Sequence, residues 1–433
     1  MSAASGSEPA VSAGDTRLPD AAARNDASSD AVKRYFHGTH RICAPEETVA
    51  RLQPLLSELG ITRVANVTGL DRTGIPVVMV CRPNARSVTV SQGKGLTLAA
   101  AKASGIMEAV EVWHAEHIVK PLKLVTFDEL RGEHRVAQIA ALPRARASRF
   151  SARLPLLWIE GEDFLSGAPA WVPFELVSTN YTLPLPPGSG CFQANTNGLA
   201  SGNHWLEAVC HGLCEVVERD ATTLWKQLSP KAQQSRTLNL STIDDPACRQ
   251  VIERFEAARL DFRVWDTTTD LGIASFVCLL MGRGDDNADP EFGAGCHPVR
   301  TVALLRALTE AAQARNTYIA GARDDYPAHA YDRAYRRRRM QYCRQLLDAS
   351  APRRSFAHVP SFESPSAQAD VNWMVARLRA AGIEQAIAVN LTRDAIGIAV
   401  ARVIVPGLEG PMEESDGDYS PGARARRLQR IAA

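Results

Sequence analysis

Residues 203–219 read Asn203-His-Trp-Leu-Glu207-Ala-Val-Cys-His211-Gly-Leu-Cys-Glu215-Val-Val-Glu218-Arg219. At about 100° per residue, one helix would carry Asn203, Glu207, His211, Glu215 and Glu218 on a stripe about 120° wide. Trp205, Leu206, Val209, Leu213, Val216, Val217 and Leu224 flank that stripe, so a helix over about 204–228 is expected to be buried. Buried carboxylates need partners, because like charges in a low dielectric raise one another's pKa. A metal ion is the first candidate for that partner.

A second cluster, Ser104-x-x-x-Glu108-x-x-Glu111, has spacings of four and three and so shares one face of a helix expected over 96–118. It follows the turn Gly93-Lys94-Gly95, whose backbone N–H groups could receive an anion before the helix. Taken alone, each cluster reads as solvated Glu in a helix of good helix formers. Facing each other, Glu108, Glu111, Glu207, Glu215 and Glu218 make an all-oxygen site, which suits Mg2+ better than zinc or copper. Five carboxylates exceed what one magnesium ion needs, whereas a nucleoside triphosphate with two or three ions would account for the surplus. Arg219 and Arg315 are then phosphate partners.

Neither G-x-x-x-x-G-K-[ST] nor G-x-G-x-x-G occurs, so a P-loop or Rossmann mode of nucleotide binding has no support. Cys210-x-x-x-Cys214 beside His211 lacks a second pair at finger spacing and reads as packing on an apolar helix rather than a zinc site. Gly295-Cys296-His297-Pro298 reads as a loop near the site. The run Arg336–Arg339 reads as a solvated helix face, with docking of an acidic partner as the functional alternative.

The chain has 433 residues, 45% hydrophobic and 22% charged, which is globular composition. Lys+Arg 49 against Asp+Glu 48 leaves a net charge of +1, so no general field favours nucleic acid or an anionic membrane. Nine cysteines without framework spacing, no signal-like N-terminus and no long apolar run together point to a soluble cytoplasmic protein. Residues 1–32 are rich in Ala, Ser, Asp and Gly, so a disordered tail is expected up to residue 34. One folded domain is expected over 35–411, followed by an Arg-rich tail over 412–433.

Within that domain the patterns predict helices at 46–59, 96–118, 204–228, 246–259, 299–320, 333–348 and 368–381. Strands are expected at 76–81, 87–91, 123–127, 156–160, 172–177, 262–267, 274–280, 386–390 and 396–405, with 282–298 as a polar loop. Strands and helices interleave throughout, which makes the class α/β or interleaved α+β, and no internal repeat is visible.

These clusters, in this order, resemble the YcaO family of ATP-dependent enzymes that modify peptide backbones, over approximately Gly38 to Pro411. The resemblance implies a YcaO-type fold around a central ATP and Mg2+ site. It implies nucleotide contacts from Arg41, Thr48, Ser104, Asn203 and Arg219, and from the third motif, Arg306-Ala-Leu-Thr-Glu310-Ala-Ala-Gln313-Ala-Arg315. Magnesium ligands are implied at Glu108, Glu111, Glu207, Glu215 and Glu218. Arg306 and Glu310 share a helical face that Arg315 does not, so at least one of the three points elsewhere. Val112 stands where the first motif often continues with Arg.

In such enzymes ATP phosphorylates an amide oxygen after a nucleophile attacks the carbonyl carbon, and the protein itself need not supply the nucleophile. The ending Val405-Pro406-Gly407-Leu408-Glu409-Gly410-Pro411, with Tyr419 to Arg426 beyond it, looks like members that work beside a TfuA-type protein and install thioamides from a sulfide donor. The expected partners are therefore a peptide or protein substrate, a TfuA-like protein and a sulfide source, with a homodimer left open. Competing readings are an azoline-forming cyclodehydratase acting on Cys, Ser or Thr, a non-catalytic peptide-docking protein, and an accessory factor for modification of a ribosomal protein.

Overall fold

The structure is a computed structural model that describes residues 31–284, 289–325, 327–348, 354–412 and 419–432. Its largest sheet runs in the order Leu122–Val125, Leu156–Asp163, Ile387–Asn390, Ala399–Ile404, Leu199–Gly202, and Ala168–Pro173 also pairs with Leu156–Asp163. All of these pairings are antiparallel.

Strand Ala399–Ile404 separates two cores, because successive side chains of a strand leave opposite faces. Val400 and Ile404 pack with Ile106, Ala109 and Val110 of the helix Leu98–Glu116. Ala401 and Val403 pack with Leu206, Val209 and Leu213 of the helix Trp205–Lys226. The two acidic helices thus lie on opposite faces of one sheet and approach each other around its edge strand, Leu199–Gly202.

A three-stranded antiparallel meander followed by a helix occurs twice. Strands Arg63–Asn66, Val77–Cys81 and Val90–Lys94 precede Leu98–Glu116, and strands Leu260–Asp266, Ser275–Gly282 and Glu291–Cys296 precede Arg300–Ala320. In each unit a glycine lets the last strand lie directly on the helix. A Cβ at Gly93 would stand 2.0 Å from the Ala101 carbonyl oxygen, and one at Gly295 would stand 2.1 Å from that of Ala303. In the sequence this structural repetition leaves only a Gly-x-Gly at the last strand of each unit, Gly93-Lys94-Gly95 and Gly293-Ala294-Gly295.

The expected helices and most expected strands are present, but the expected strand 172–177 ends at Pro173 where Phe174–Leu176 form a 3-10 turn, and the strand Arg63–Asn66 and the helix Phe127–Glu133 were not expected. Residues 291–296, within the expected loop, form a strand: Glu-Phe-Gly-Ala-Gly-Cys lacks β-branched residues because close packing on the helix requires glycine. Strand Leu199–Gly202 is hidden in the same way by Ala, Ser and Gly. Asn203 lies outside the helix whose stripe it was expected to share, since His204 is the cap and its Nδ1 accepts from the Leu206 N–H at 3.1 Å.

The domain boundaries also move. The expected disorder of residues 1–30 lies outside the described residues, whereas 31–34 are folded: Val32 bridges Ser366, Lys33 pairs with Asp370, and Arg34 opposes Arg41 in a short hairpin. The C-terminal segment is docked. Buried Glu409 accepts from Tyr419 Oη at 2.8 Å, Gly422 N at 2.7 Å and Ala425 N at 2.9 Å, and Arg424 of the helix Ala423–Ala432 reaches Asp220 at 3.0 Å. Among the described residues no helix is long and apolar enough to cross a membrane.

Candidate active site

Four of the expected carboxylates gather where the helices meet at the edge strand. Ser201 makes the junction: its backbone N–H and its Oγ both donate to Glu111 Oε1, at 2.8 and 2.7 Å. Burial pushes the Glu111 carboxyl up to about 8 against those two bonds, and Glu108 and Glu215 add to the rise. Glu108 is also raised by burial, offset by Arg323, Lys94 and a hydrogen bond to the Gln92 backbone. Glu215 is raised by burial and by Glu310, against Arg219 and Arg402. Burial and then Glu310 lift Glu218 to about 7.

Glu310 completes this set, although the resemblance implies a nucleotide contact for it. Burial raises its carboxyl, but Lys94 and Arg219 outweigh burial and hold it below the usual range. Lys94 Nζ donates to Glu310 Oε2 at 2.8 Å, and the Ala294 N–H donates to Oε1 at 3.2 Å. This ion pair joins the strand of the first meander unit to the helix of the second. Lys94 is a member of this charged cluster that motif reading left as part of a turn; its place between two glycines before an acidic helix was the available signal.

Glu207 is not brought into the carboxylate cluster. Its Oε2 accepts from the Ile42 N–H at 3.1 Å, and Oε1 lies 3.6 Å from Arg41 Nε. The physical reason is axial: eight residues of helix separate Glu207 from Glu215 by about 12 Å, so a shared stripe does not mean a shared depth. Nearby, Asn203 Nδ2 donates to Thr48 Oγ1 at 3.1 Å, both residues being buried. Arg41, Glu207, Cys210, His211, His297 and Arg306 line a cleft. Burial, then Arg306 and Arg41, lower the His211 pKa well below its ordinary value, and the ring hydrogen-bonds the Ser201 backbone. His211 is therefore a neutral ring between the two groups, and Ser201 touches both.

The remaining expected residues fall as follows. Arg219 lies 3.8 Å from Glu215, beside the carboxylates. Ser104 sits one turn before Glu108 on the same helix, half-buried. Arg306 lines the cleft while its Nη1 donates to the Cys296 carbonyl at 3.1 Å. Arg315 does not join them: its guanidinium grips Asp71 through two bonds of 3.2 and 2.9 Å, buried on both sides. Arg315 is thus the member of the third motif whose side chain is paired away from the cleft.

Cys210 and Cys214 pack in an apolar core with Leu206, Val209 and Met374, in keeping with the packing reading. The arginine run is only partly solvated, since Arg336 and Arg339 pair with Asp289 and Glu291 and brace the glycine-bearing strand.

The donor set fits Mg2+. Every candidate ligand is a carboxylate oxygen, and the upward shifts mark a cluster that a divalent cation would neutralise. Among the described residues no three His, Cys, Asp or Glu side chains already form a metal cage.

Residues 92–409 match the family model described as YcaO cyclodehydratase, ATP- and Mg2+-binding. An uncharacterized protein in the tfuA 3' region of Rhizobium leguminosarum bv. trifolii is 38% identical over 390 residues, covering 88% of this chain and 91% of the relative. An uncharacterized protein of Methanothermobacter thermautotrophicus is 35% identical over 379 residues, covering 84% of this chain and 94% of the relative. Among solved structures, YcaO from Methanopyrus kandleri bound with AMPPCP and Mg2+ superposes with a TM-score of 0.69 at 23% identity, over 89% of this chain and 99% of that one. A heterocyclase in complex with substrate and cofactor superposes with a TM-score of 0.73 at 24% identity, over 88% of this chain, which spans 54% of that protein. At these identities the structural likeness speaks for the fold.

Proposed function

Since the chain belongs to the YcaO family, which binds ATP and Mg2+, we propose that it activates a peptide backbone amide by ATP-dependent O-phosphorylation and replaces the amide oxygen by sulfur. The observation that carries the first part is the convergence of Glu108, Glu111, Glu215, Glu218 and Glu310 from three helices, interleaved with Lys94 and Arg219. Phosphoryl transfer depends on positioning and charge neutralisation more than on covalent protein chemistry, and this cluster offers both.

Magnesium bound there would neutralise the carboxylates and the nucleotide's phosphates together. Lys94 and Arg219 hold Glu310 ionised at neutral pH. Ser201 fixes Glu111 in register with the opposite helix. Arg41, oriented by Glu207, and the Thr48–Asn203 pair offer positive charge and hydrogen bonds to the nucleotide at the cleft. Arg306 extends the positive wall of that cleft. A nucleophile attacks the amide carbon, the resulting oxyanion takes the γ-phosphoryl group of ATP with ADP leaving, and phosphate then departs with that oxygen as the carbon re-forms its double bond. With sulfide as the nucleophile, the product is a thioamide.

The thioamide reading is supported by the relative described from a tfuA region, and it brings with it a TfuA-like partner that supplies sulfide. The family description itself favours the second reading, an azoline-forming cyclodehydratase. Mass spectrometry of a peptide incubated with the protein, ATP, Mg2+, sulfide and the TfuA-like protein separates the two. Exchange of oxygen for sulfur raises the mass, whereas cyclodehydration lowers it by one water. A peptide left unchanged, with no hydrolysis of ATP under any combination of these components, would refute both and favour a docking role.

A further inference from the structure

Four cations influence the carboxylate cluster: Lys94, Arg219, Arg323 and Arg402. Lys94 bonds Glu310, Arg219 lies against Glu215, and Arg323 pairs with Asp325. Arg402 is different. It is 2% exposed, in a strand position whose same-face neighbours Val400 and Ile404 are core residues. Alternation there asks for an apolar side chain.

The Arg402 Nη2 donates to the Asn195 carbonyl at 2.6 Å. Its Nε and Nη1 are buried and have no partner among the described residues. Burial lowers its pKa to about 10, against Tyr181 and then Glu215, yet no ion pair joins it to Glu215. A guanidinium carries five N–H donors in a rigid fork and stays charged. Burying such a group with half its fork unsatisfied is strongly unfavourable, and native folds carry that strain where a ligand completes the site. The fork matches two oxygens of one phosphoryl group.

We propose that Arg402 is a phosphoryl-binding residue whose unpaired Nη1, together with the second N–H of Nη2, takes two oxygens of the transferred phosphoryl group, on the nucleotide or on the peptide amide oxygen after transfer. The assignment rests on the ATP-dependent reading above, and it adds a contact from the last strand of the sheet, outside the three acidic motifs.

The test compares wild type, Arg402→Gln and Arg402→Lys by thermal melting without ligand, by titration with AMPPCP and Mg2+, and by steady-state kinetics with peptide. For a phosphoryl receptor, Arg402→Gln melts at or above the wild-type temperature without ligand, because an uncompensated buried charge has been removed. The same variant binds AMPPCP about 10- to 100-fold more weakly if the group contacted is on the nucleotide. Alternatively it keeps its AMPPCP affinity and loses kcat by a similar factor if the group contacted is on the peptide. Arg402→Lys, which keeps charge without the fork, falls between.

A lower melting temperature with wild-type affinity and kcat would make Arg402 a structural anchor of Asn195 and overturn the proposal. So would a variant identical to wild type in every measurement. If Arg402→Gln does not fold, Arg402→Lys decides: wild-type AMPPCP affinity and kcat in that variant overturn the proposal, and loss of either supports it. Failure of the wild-type protein to bind AMPPCP would instead remove the proposed function itself.

Discussion

Magnesium binding by this protein should depend steeply on pH, and the size of the effect follows from Glu111. Its carboxyl sits at about 8, raised by burial and by the neighbouring Glu108 and Glu215. A metal ligand must be deprotonated, so apparent affinity is divided by 1 + 10^(pKa−pH). That divisor is about 100 at pH 6 and about 2 at pH 8, a loss of about 50-fold from this one group. Glu218, at about 7, acts in the same direction and steepens the fall. At pH 7 Glu111 is about nine-tenths protonated, so binding should release close to one proton from it.

The stability of the metal-free protein runs the other way. A folded pKa above the unfolded value gives a contribution fully present below pH ~4.5 and lost as pH rises through about 8. Calorimetric titration with Mg2+ at pH 6, 7 and 8, in buffers of different ionisation enthalpy, measures both affinity and proton release. Affinity constant across that range, with no proton released at pH 7, would refute the assignment of Glu111 as a magnesium ligand. Ser201→Ala, which removes one of the bonds holding the Glu111 anion, should move the whole affinity curve to higher pH.

Replacing Glu108 by Gln should weaken Mg2+ binding while leaving the fold intact, since a neutral amide relieves repulsion in the metal-free cluster; a circular dichroism melt beside the titration checks both parts. Glu207→Gln should leave the pH profile of magnesium binding unchanged and instead weaken AMPPCP binding through Arg41, because Glu207 touches Arg41 and the Ile42 N–H rather than the other carboxylates. Lys94→Met should raise the Glu310 pKa and lower stability at pH 8 by about 1 kcal/mol, a modest figure for a half-buried pair, read from urea denaturation. Arg315→Met should destabilise by about 3 kcal/mol or more, because Asp71 would be left buried without its partner, yet nucleotide affinity of the folded protein should not change.

Helical periodicity made much of this site legible, because it is a local property. Glu108, Glu111, Glu215 and Glu218 could be placed on two faces from spacing alone, and the resemblance supplied the reason those faces should meet. Depth along a helix axis is equally local, but it matters only when something stands opposite. Glu207 and Glu215 share a stripe, and only the edge strand's position decides that Glu215 meets Glu111 while Glu207 meets Arg41. That strand, Leu-Ala-Ser-Gly, was invisible to β-propensity because its small residues serve the close approach of two helices rather than the pleat.

The residues missed were those whose role depends on chain segments far apart. Lys94 and Glu310 are 216 positions apart, and Ser201 and Glu111 are 90 apart. No window of sequence contains either pair. Arg402 is an intermediate case: an arginine in Ala-Val-Ala-Arg-Val-Ile breaks strand alternation, which is a local signal, but its meaning requires knowing that Glu215 lies near and that two donors are unspent. The same reasoning explains why the basic groups of this site were harder to read than the acidic ones. Carboxylates that bind a shared ion must repeat along one helix face and so leave a period, whereas each cation that balances them can come from a different strand or loop. Lys94 and Arg402 come from two different strands, and of the three cations only Arg219 stands inside an acidic motif.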